Sequence, residues 1–168
     1  KKHPLADQSP RTGNRVLLVE DSRSIAAMLS NNLNALKGIE CTQAEDRVSA
    51  NEVLLQRAEE FFVAVLDLNL PDAPDGEIVG TVQAFGIPVI VLTGSLDEQR
   101  RQSLFKQNIA DYVSKRHAGC VETVCRLVER MCANHKRRVL VVDDSNAYRA
   151  YLQALLHNHG YPTVEAAD

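Results

Sequence analysis

The chain has 168 residues, enough for one ordinary domain or for one domain plus a fragment. Apolar residues make up 45% and charged residues 24%, which provides for a packed core and excludes wholesale disorder. The 19 Lys+Arg against 22 Asp+Glu leave a formal net charge of −3, a poor footprint for nucleic-acid binding, which needs clustered positive charge.

Residues 1–14 hold two prolines and a glycine among polar residues and read as a tail or linker. They lack the apolar segment of a signal peptide, and without an initiator Met the chain reads as a cut from something longer. Arg15 opens RVLLVED, an apolar strand ending in two acids. Ser22 is a candidate N-cap, and Ile25, Met28, Leu29, Leu33 and Leu36 mark one helical stripe closed by Lys37-Gly38. A strand over Ile39–Gln43 and a helix over Ser49–Arg57 follow. Next come the strand FFVAVLDL, a Pro-Asp-Ala-Pro-Asp-Gly loop and a short helix over Glu77–Phe85. IPVIVLT is a buried strand, Asp97–Gln107 a polar helix, ADYVS a strand and Val121–Cys132 a helix. Five strands alternate with five helices, and the central strands are apolar throughout. That pattern predicts an α/β fold: a doubly wound parallel sheet with helices on both faces. No apolar run approaches the ~20 residues that span a bilayer, so no membrane partner is expected.

RVLVVDDS at 138–145 repeats RVLLVEDS at 15–22, with six of eight residues identical at an offset of 123. The stripe recurs as Tyr148, Tyr151, Leu152, Leu155 and Leu156, and PTVEAA then begins a strand. The expected division is a tail (1–14), a complete domain (15–133), a short basic linker (134–137) and the opening strand–helix–strand of a second copy (138–168). Such a fragment cannot bury both faces of its own sheet. Cys41, Cys120, Cys125 and Cys132 form no C-x-x-C pair, and the last three fall on one predicted helix. Neither a disulfide framework nor a zinc site is expected, and free thiols suit a reducing cytoplasm. Cys125 and Cys132 read as core residues, and His157-x-His159 as a solvated pair.

In such sheets ligands bind beyond the carboxyl ends of the strands. The first strand ends in Glu20-Asp21, the third in Asp67, the fourth in Thr93, and Lys115 follows the fifth. Right-handed crossovers bring these four strands side by side, so three carboxylates converge with a hydroxyl and an ammonium facing them. Acids and hydroxyls are common where strands emerge into solvent; it is the joint order on the right strands that carries weight. Three neighbouring anions need a cation, and oxygen ligands with open water positions suit Mg2+. A carboxylate can attack phosphorus to form an aspartyl phosphate, while metal, ammonium and hydroxyl serve the phosphoryl oxygens. Asp67 is the best nucleophile candidate, with Glu20 and Asp21 as metal holders.

This constellation resembles the receiver domain of two-component response regulators, and residues 15–133 cover essentially a whole such domain. The resemblance implies a flavodoxin-like fold with Asp67 as phosphoacceptor, charged by a histidine kinase or a phosphotransfer protein. It implies Mg2+ held by Asp21 and Asp67, by Glu20 through water, and by the main-chain carbonyl of Asn69. Thr93 would contact the phosphoryl group, Lys115 would pair with Asp67 or its phosphate, and Tyr112 would be the switch aromatic coupled to Thr93. Asn69 and Ser95 occupy positions that tune dephosphorylation, and Asp143-Asp144 would be the acid pair of a second receiver. The activity implied is self-phosphorylation and autodephosphorylation of a signalling module. It would act through inter-domain or homodimer packing on an output domain outside this chain, of which a GGDEF diguanylate cyclase is one kind.

Three features depart from the family. Arg116 stands where proline usually follows the lysine, so a trans peptide is expected there and the reach of Lys115 is in question. The PDAPDG loop is one residue longer than usual, and the third helix is short. The rival reading is a receiver-like interaction module that works without phosphorylation. A small-substrate phosphatase would need an acid at position 69, which is Asn, and a substrate cap.

Overall fold

The computed structural model describes residues 13–94 and 108–167. The predicted helix Asp97–Gln107 and Ser95 lie outside the described residues. In chain order the elements are β1 (Arg15–Val19), α1 (Arg23–Asn34), β2 (Glu40–Ala44), α2 (Arg47–Arg57), a 3-10 turn (Ala58–Glu60) and β3 (Phe61–Leu66). They continue with α3 (Glu77–Gln83), β4 (Val89–Thr93), β5 (Asp111–Ser114), α4 (Cys120–His135), β6 (Val139–Val142), α5 (Asn146–Asn158) and β7 (Thr163–Ala166).

Strands one to five form a single parallel sheet in the order β2-β1-β3-β4-β5, the flavodoxin-like doubly wound order. Because side chains alternate across a strand, each central strand serves two cores at once. Val16, Leu18, Val63, Val65, Ile90 and Leu92 face Leu29 and Leu33 of α1 and Val124, Val128 and Met131 of α4. Leu17, Val19, Ala64, Leu66, Val89 and Val91 face Ala50 and Leu54 of α2 and Ile78, Val79 and Val82 of α3. The all-apolar strands seen in the sequence are those buried on both sides. Cys132 is core, as expected from the sequence, and Cys125 packs against the same cluster half-buried; all four cysteines are free thiols.

Helix ends differ from the sequence pattern where specific partners intervene. Helix α2 starts at Arg47 because Asp46 and Ser49 form a capping box: Asp46 Oδ1 accepts from Ser49 N at 2.7 Å, and Ser49 Oγ accepts from Asp46 N at 3.3 Å. A second carboxylate arrives from the loop after β3, Asp72 accepting from Arg47 N at 2.9 Å and Val48 N at 3.0 Å. Two acids at one helix N-terminus satisfy its orphan amides and face the positive end of its dipole. Helix α4 runs to His135 rather than stopping at Cys132, into the stretch expected to be linker, because its last turn has partners. The His135 ring stacks on Phe62 of β3, with centroids 6.1 Å apart, and Asn134 is buried.

The C-terminal segment forms its own two-stranded parallel sheet, β6 against β7, with α5 packed on it. The α5 stripe is only partly a core face: Tyr148, Tyr151 and Leu155 are exposed, since two strands offer little surface to cover it. No helix among the described residues is long and apolar enough to cross a membrane.

Leu17 and Leu140 hold the same place in the repeat but are 0% and 61% exposed. Leu17→Ala is expected to lower unfolding free energy by about 3 kcal/mol and Leu140→Ala by less than about 0.5 kcal/mol, read from urea midpoints at constant slope.

Candidate functional site

The backbone ladder continues just past the strand ends and places the reactive groups. Glu20 N donates to Ala44 O at 3.1 Å, Asp67 N to Val19 O at 2.9 Å, and Lys115 N to Thr93 O at 2.9 Å. Glu20, Asp67 and Lys115 are thus each the first residue beyond a strand and still hydrogen-bonded to its neighbour. Their side chains meet above the carboxyl edge of the sheet.

Lys115 Nζ lies 2.6 Å from Glu20 Oε2 and 2.7 Å from Asp67 Oδ2. Glu20 is 3% exposed and Asp67 5%, whereas Asp21 is exposed. One carboxylate oxygen from each of Glu20, Asp21 and Asp67 lies within 4.8 Å of the other two. Ser22 N donates to Glu20 Oε1 at 3.3 Å, and Asn69 N to Asp67 Oδ1 at 3.2 Å. Asn69 Nδ2 reaches the hydroxyl of the fully buried Thr93 at 3.3 Å, bridging the loop after β3 to the end of β4.

Burial pushes the Glu20 carboxyl above its ordinary range, working against the Lys115 ammonium that favours its charge; the neighbouring Asp67 carboxylate raises it further. For Lys115, burial pulls down, but the hydrogen bonds and charges of Asp67 and Glu20 together outweigh it and its pKa is raised. The ammonium is therefore held charged between the two acids.

The residues fit a hard divalent cation. Three carboxylates against one ammonium leave a formal charge of −2 (−3 + 1). Glu20 Oε2 is fully buried, with the Lys115 ammonium 2.6 Å away as its charged partner. The donors are all oxygen, one of the acids faces water, and neither His nor Cys takes part, a set that suits Mg2+ or a similar ion rather than zinc.

The structure thus brings together Glu20, Asp21, Asp67, Asn69, Thr93 and Lys115. The doubt raised by Arg116 is resolved in geometry: no peptide among the described residues is cis, and Lys115 reaches both acids from a trans bond. Tyr112 lies opposite Val91 in the β4–β5 register and packs half-buried against the α2/α3 core. Asp143 and Asp144 stand apart from this pocket beyond β6, where Ser145 N donates to Asp143 Oδ1 at 2.8 Å, repeating the Ser22–Glu20 turn. The expectation of a solvated His157/His159 pair fails for His157, whose Nε2 lies 3.0 Å from Gly86 O; His159 is exposed as expected, and only its main-chain carbonyl is engaged, accepting from Asn134 Nδ2 at 2.9 Å. Two participants were not singled out from sequence. Asp72 clamps the loop after Asp67 to α2. Arg149, buried on α5, donates to Asp143 O at 2.5 Å and Glu165 Oε2 at 3.1 Å, and also bonds Asn146 Oδ1. An Asp in a polar loop and an Arg at a solvent-spaced helical position carry no local signal of such contacts.

Comparison with known proteins agrees with this geometry. The family described as response regulator receiver domain matches residues 16–120. Two solved structures of two-component system response regulator/GGDEF domain proteins are each 33% identical, with TM-scores of 0.74 and 0.73. Each alignment covers 91% of this chain, which spans only 61% of the length of those proteins. A response regulator crystallised in its Mn2+-bound form is 25% identical over 68% of this chain and 91% of its own, with a TM-score of 0.59. A search of curated proteins gives no match.

Removing the ammonium leaves two buried acids facing each other. Lys115→Met is expected to cost about 3 kcal/mol of stability at pH 7 without metal. Glu20, whose folded pKa is already above its unfolded 4.5, then rises further. A folded group that binds a proton where the unfolded one does not stabilises the fold as pH falls toward the unfolded pKa. The gap between variant and wild type should therefore narrow between pH 7 and pH 5, measured by urea denaturation.

Proposed function

The chain belongs to the response regulator receiver domain family, and on that premise we propose that it takes a phosphoryl group on Asp67 and releases it by hydrolysis. The observation that carries this reading is the Lys115 ammonium bridging Asp67 and Glu20, with Asp21 completing an oxygen triad. An Asp67 carboxylate oxygen attacks the phosphorus of a phosphohistidine on a histidine kinase or phosphotransfer protein. The O–P bond forms, the P–N bond breaks, and the electron pair stays on the imidazole nitrogen, which takes up a proton. In the return step water attacks phosphorus, the P–O bond to Asp67 breaks, and inorganic phosphate leaves.

Glu20, Asp21, Asp67 and the main-chain carbonyl of Asn69 would hold Mg2+, which when bound supplies charge neutralisation for the phosphoryl oxygens. Lys115 keeps an ammonium at the Asp67 carboxylate, where negative charge gathers. The Thr93 hydroxyl, at the end of β4, donates to a phosphoryl oxygen in place of its present contact with Asn69. Asn69, at the mouth, and Ser95 govern the access of water. Tyr112 follows Thr93 inward. The result is a population shift of the surface made by β5 and α4, biased by the new phosphate contacts.

The receiver begins at residue 15, after a tail of 1–14; it was expected to end at 133, but its last helix carries it to His135 and leaves 136–138 as the connector. Residues 138–168 open a second receiver, with Asp143 and Asp144 as its acid pair. The repeated Ser–acid turn, the parallel β6–β7 pair and the unpaired edge of β6 support that division. The protein works in the cytoplasm as a tandem receiver whose inter-domain or homodimer packing controls an output domain, without itself contacting nucleic acid. The two GGDEF-bearing relatives favour a diguanylate cyclase in that role.

Intact mass after incubation with Mg2+ and a small acyl-phosphate donor tests the reading. Wild type should gain a single base-labile phosphoryl adduct. Asp67→Asn, Asp67→Ala and wild type without Mg2+ should gain none. Absence of an adduct and of beryllofluoride binding in wild type would leave the phosphorylation-independent module as the function.

A further inference from the structure

The C-terminal unit is attached to the sheet domain by only three residues, between the end of α4 at His135 and the start of β6 at Val139. A short connector limits distance but does not by itself fix orientation. Three further contacts join the units, and they fall on different elements. Asn134, 7% exposed on the last turn of α4, donates from Nδ2 to His159 O at 2.9 Å. His157 Nε2 lies 3.0 Å from the carbonyl of Gly86 in the α3–β4 turn. Gly160, buried and left-handed at φ +81°, brings its backbone so close to α4 that a Cβ there would sit 3.3 Å from Met131 O and 3.5 Å from Met131 Cε.

Each contact has a distinct physical requirement. An Asn buried on a helix otherwise lined by Leu, Val and Met needs a partner for its amide, and the partner is a carbonyl left free at the end of α5. Gly160 closes that helix end, its amide donating to His157 O at 2.8 Å, and both its positive φ and the closeness of Met131 make a larger residue strained there. On α4 the adjacent residues Asn134 and His135 face different units: Asn134 holds His159, while His135 stacks on Phe62 at the start of β3. Asp67 follows the far end of the same strand, about 16 Å away at roughly 3.3 Å per residue.

We infer that the last turn of α4 and the α3–β4 turn form a docking surface for the C-terminal unit of the same chain. Asn134, Met131 and Gly86 receive His159, Gly160 and His157 and hold β6–α5–β7 in one orientation, at the end of the sheet opposite the acid pocket. The contacts that form the joint involve none of the residues of the acid pocket, so its test is separate from that of phosphoryl chemistry at Asp67. It makes α4 a shared strut, core to one unit and dock for the other.

Backbone 15N relaxation of the full chain, without metal or phosphodonor, tests this. Wild type should show one rotational correlation time for amides of β1–β5 and of β6–β7. In Asn134→Ala/His157→Ala the β6–β7 amides should tumble faster than those of the sheet domain, whose shifts stay in place. Gly160→Val should do the same. If that variant disrupts the end of α5, the double variant decides, since neither of its side chains contributes to the β6–β7 ladder. Loss of that ladder in the double variant would equally show that the unit depends on the dock. Two correlation times in wild type, or a double variant that tumbles as one body, would overturn the inference.

Discussion

The Lys115 ammonium between Glu20 and Asp67 is the interaction on which the site depends. Two carboxylates at 3% and 5% exposure, this close together in a low-dielectric setting, call for a cation beside them. The ammonium meets part of that demand, and the all-oxygen cluster that remains fits a divalent ion. Such a pocket retains negative charge after the ammonium is counted, because three carboxylates face one cation. A group of this kind contributes little net stability relative to an apolar replacement of the same shape. Its presence at the strand ends makes chemical sense under the proposed phosphoryl transfer.

Everything else in the sheet domain serves to bring those groups together. Parallel strands deliver their carboxyl ends to one edge, and the order β2-β1-β3-β4-β5 places the ends of β1, β3, β4 and β5 side by side. Two apolar clusters hold the sheet rigid from both faces, so the strand ends have little freedom. The loops are then tied individually: Asp72 pins the loop after β3 to α2, and Asn69 ties that same loop to Thr93.

The repeated segment is instructive because near-identical sequence meets two environments. Around Leu17, β1 is flanked by β2 and β3 and covered on both faces, so every apolar residue is buried. Around Leu140, β6 has, among the described residues, a strand neighbour on one side and α5 on one face, so alternate residues of the same motif face outward. The Ser–acid turn after the strand forms in both copies, since it is closed by residues two apart. What repeats is local; what differs is burial, which depends on the company a strand keeps.

Strand identities, their parallel pairing and the residues at their ends were legible in the chain alone. Apolar runs bounded by acids encode doubly buried strands, and right-handed crossovers leave few ways to order them. The convergence of Glu20, Asp21, Asp67, Thr93 and Lys115 follows from that order. Other features came from contacts distant in sequence. The reach of Lys115 past Arg116, the clamp of Asp72 on α2 and the bridge from Asn69 to Thr93 depend on loop paths that no periodicity encodes. The extension of α4 to His135 and the engagement of His157 and His159 depend on surfaces built from segments tens of residues away. Hydrophobic period reports which face of an element is buried, whereas the partner of a polar side chain is set only once the faces have packed.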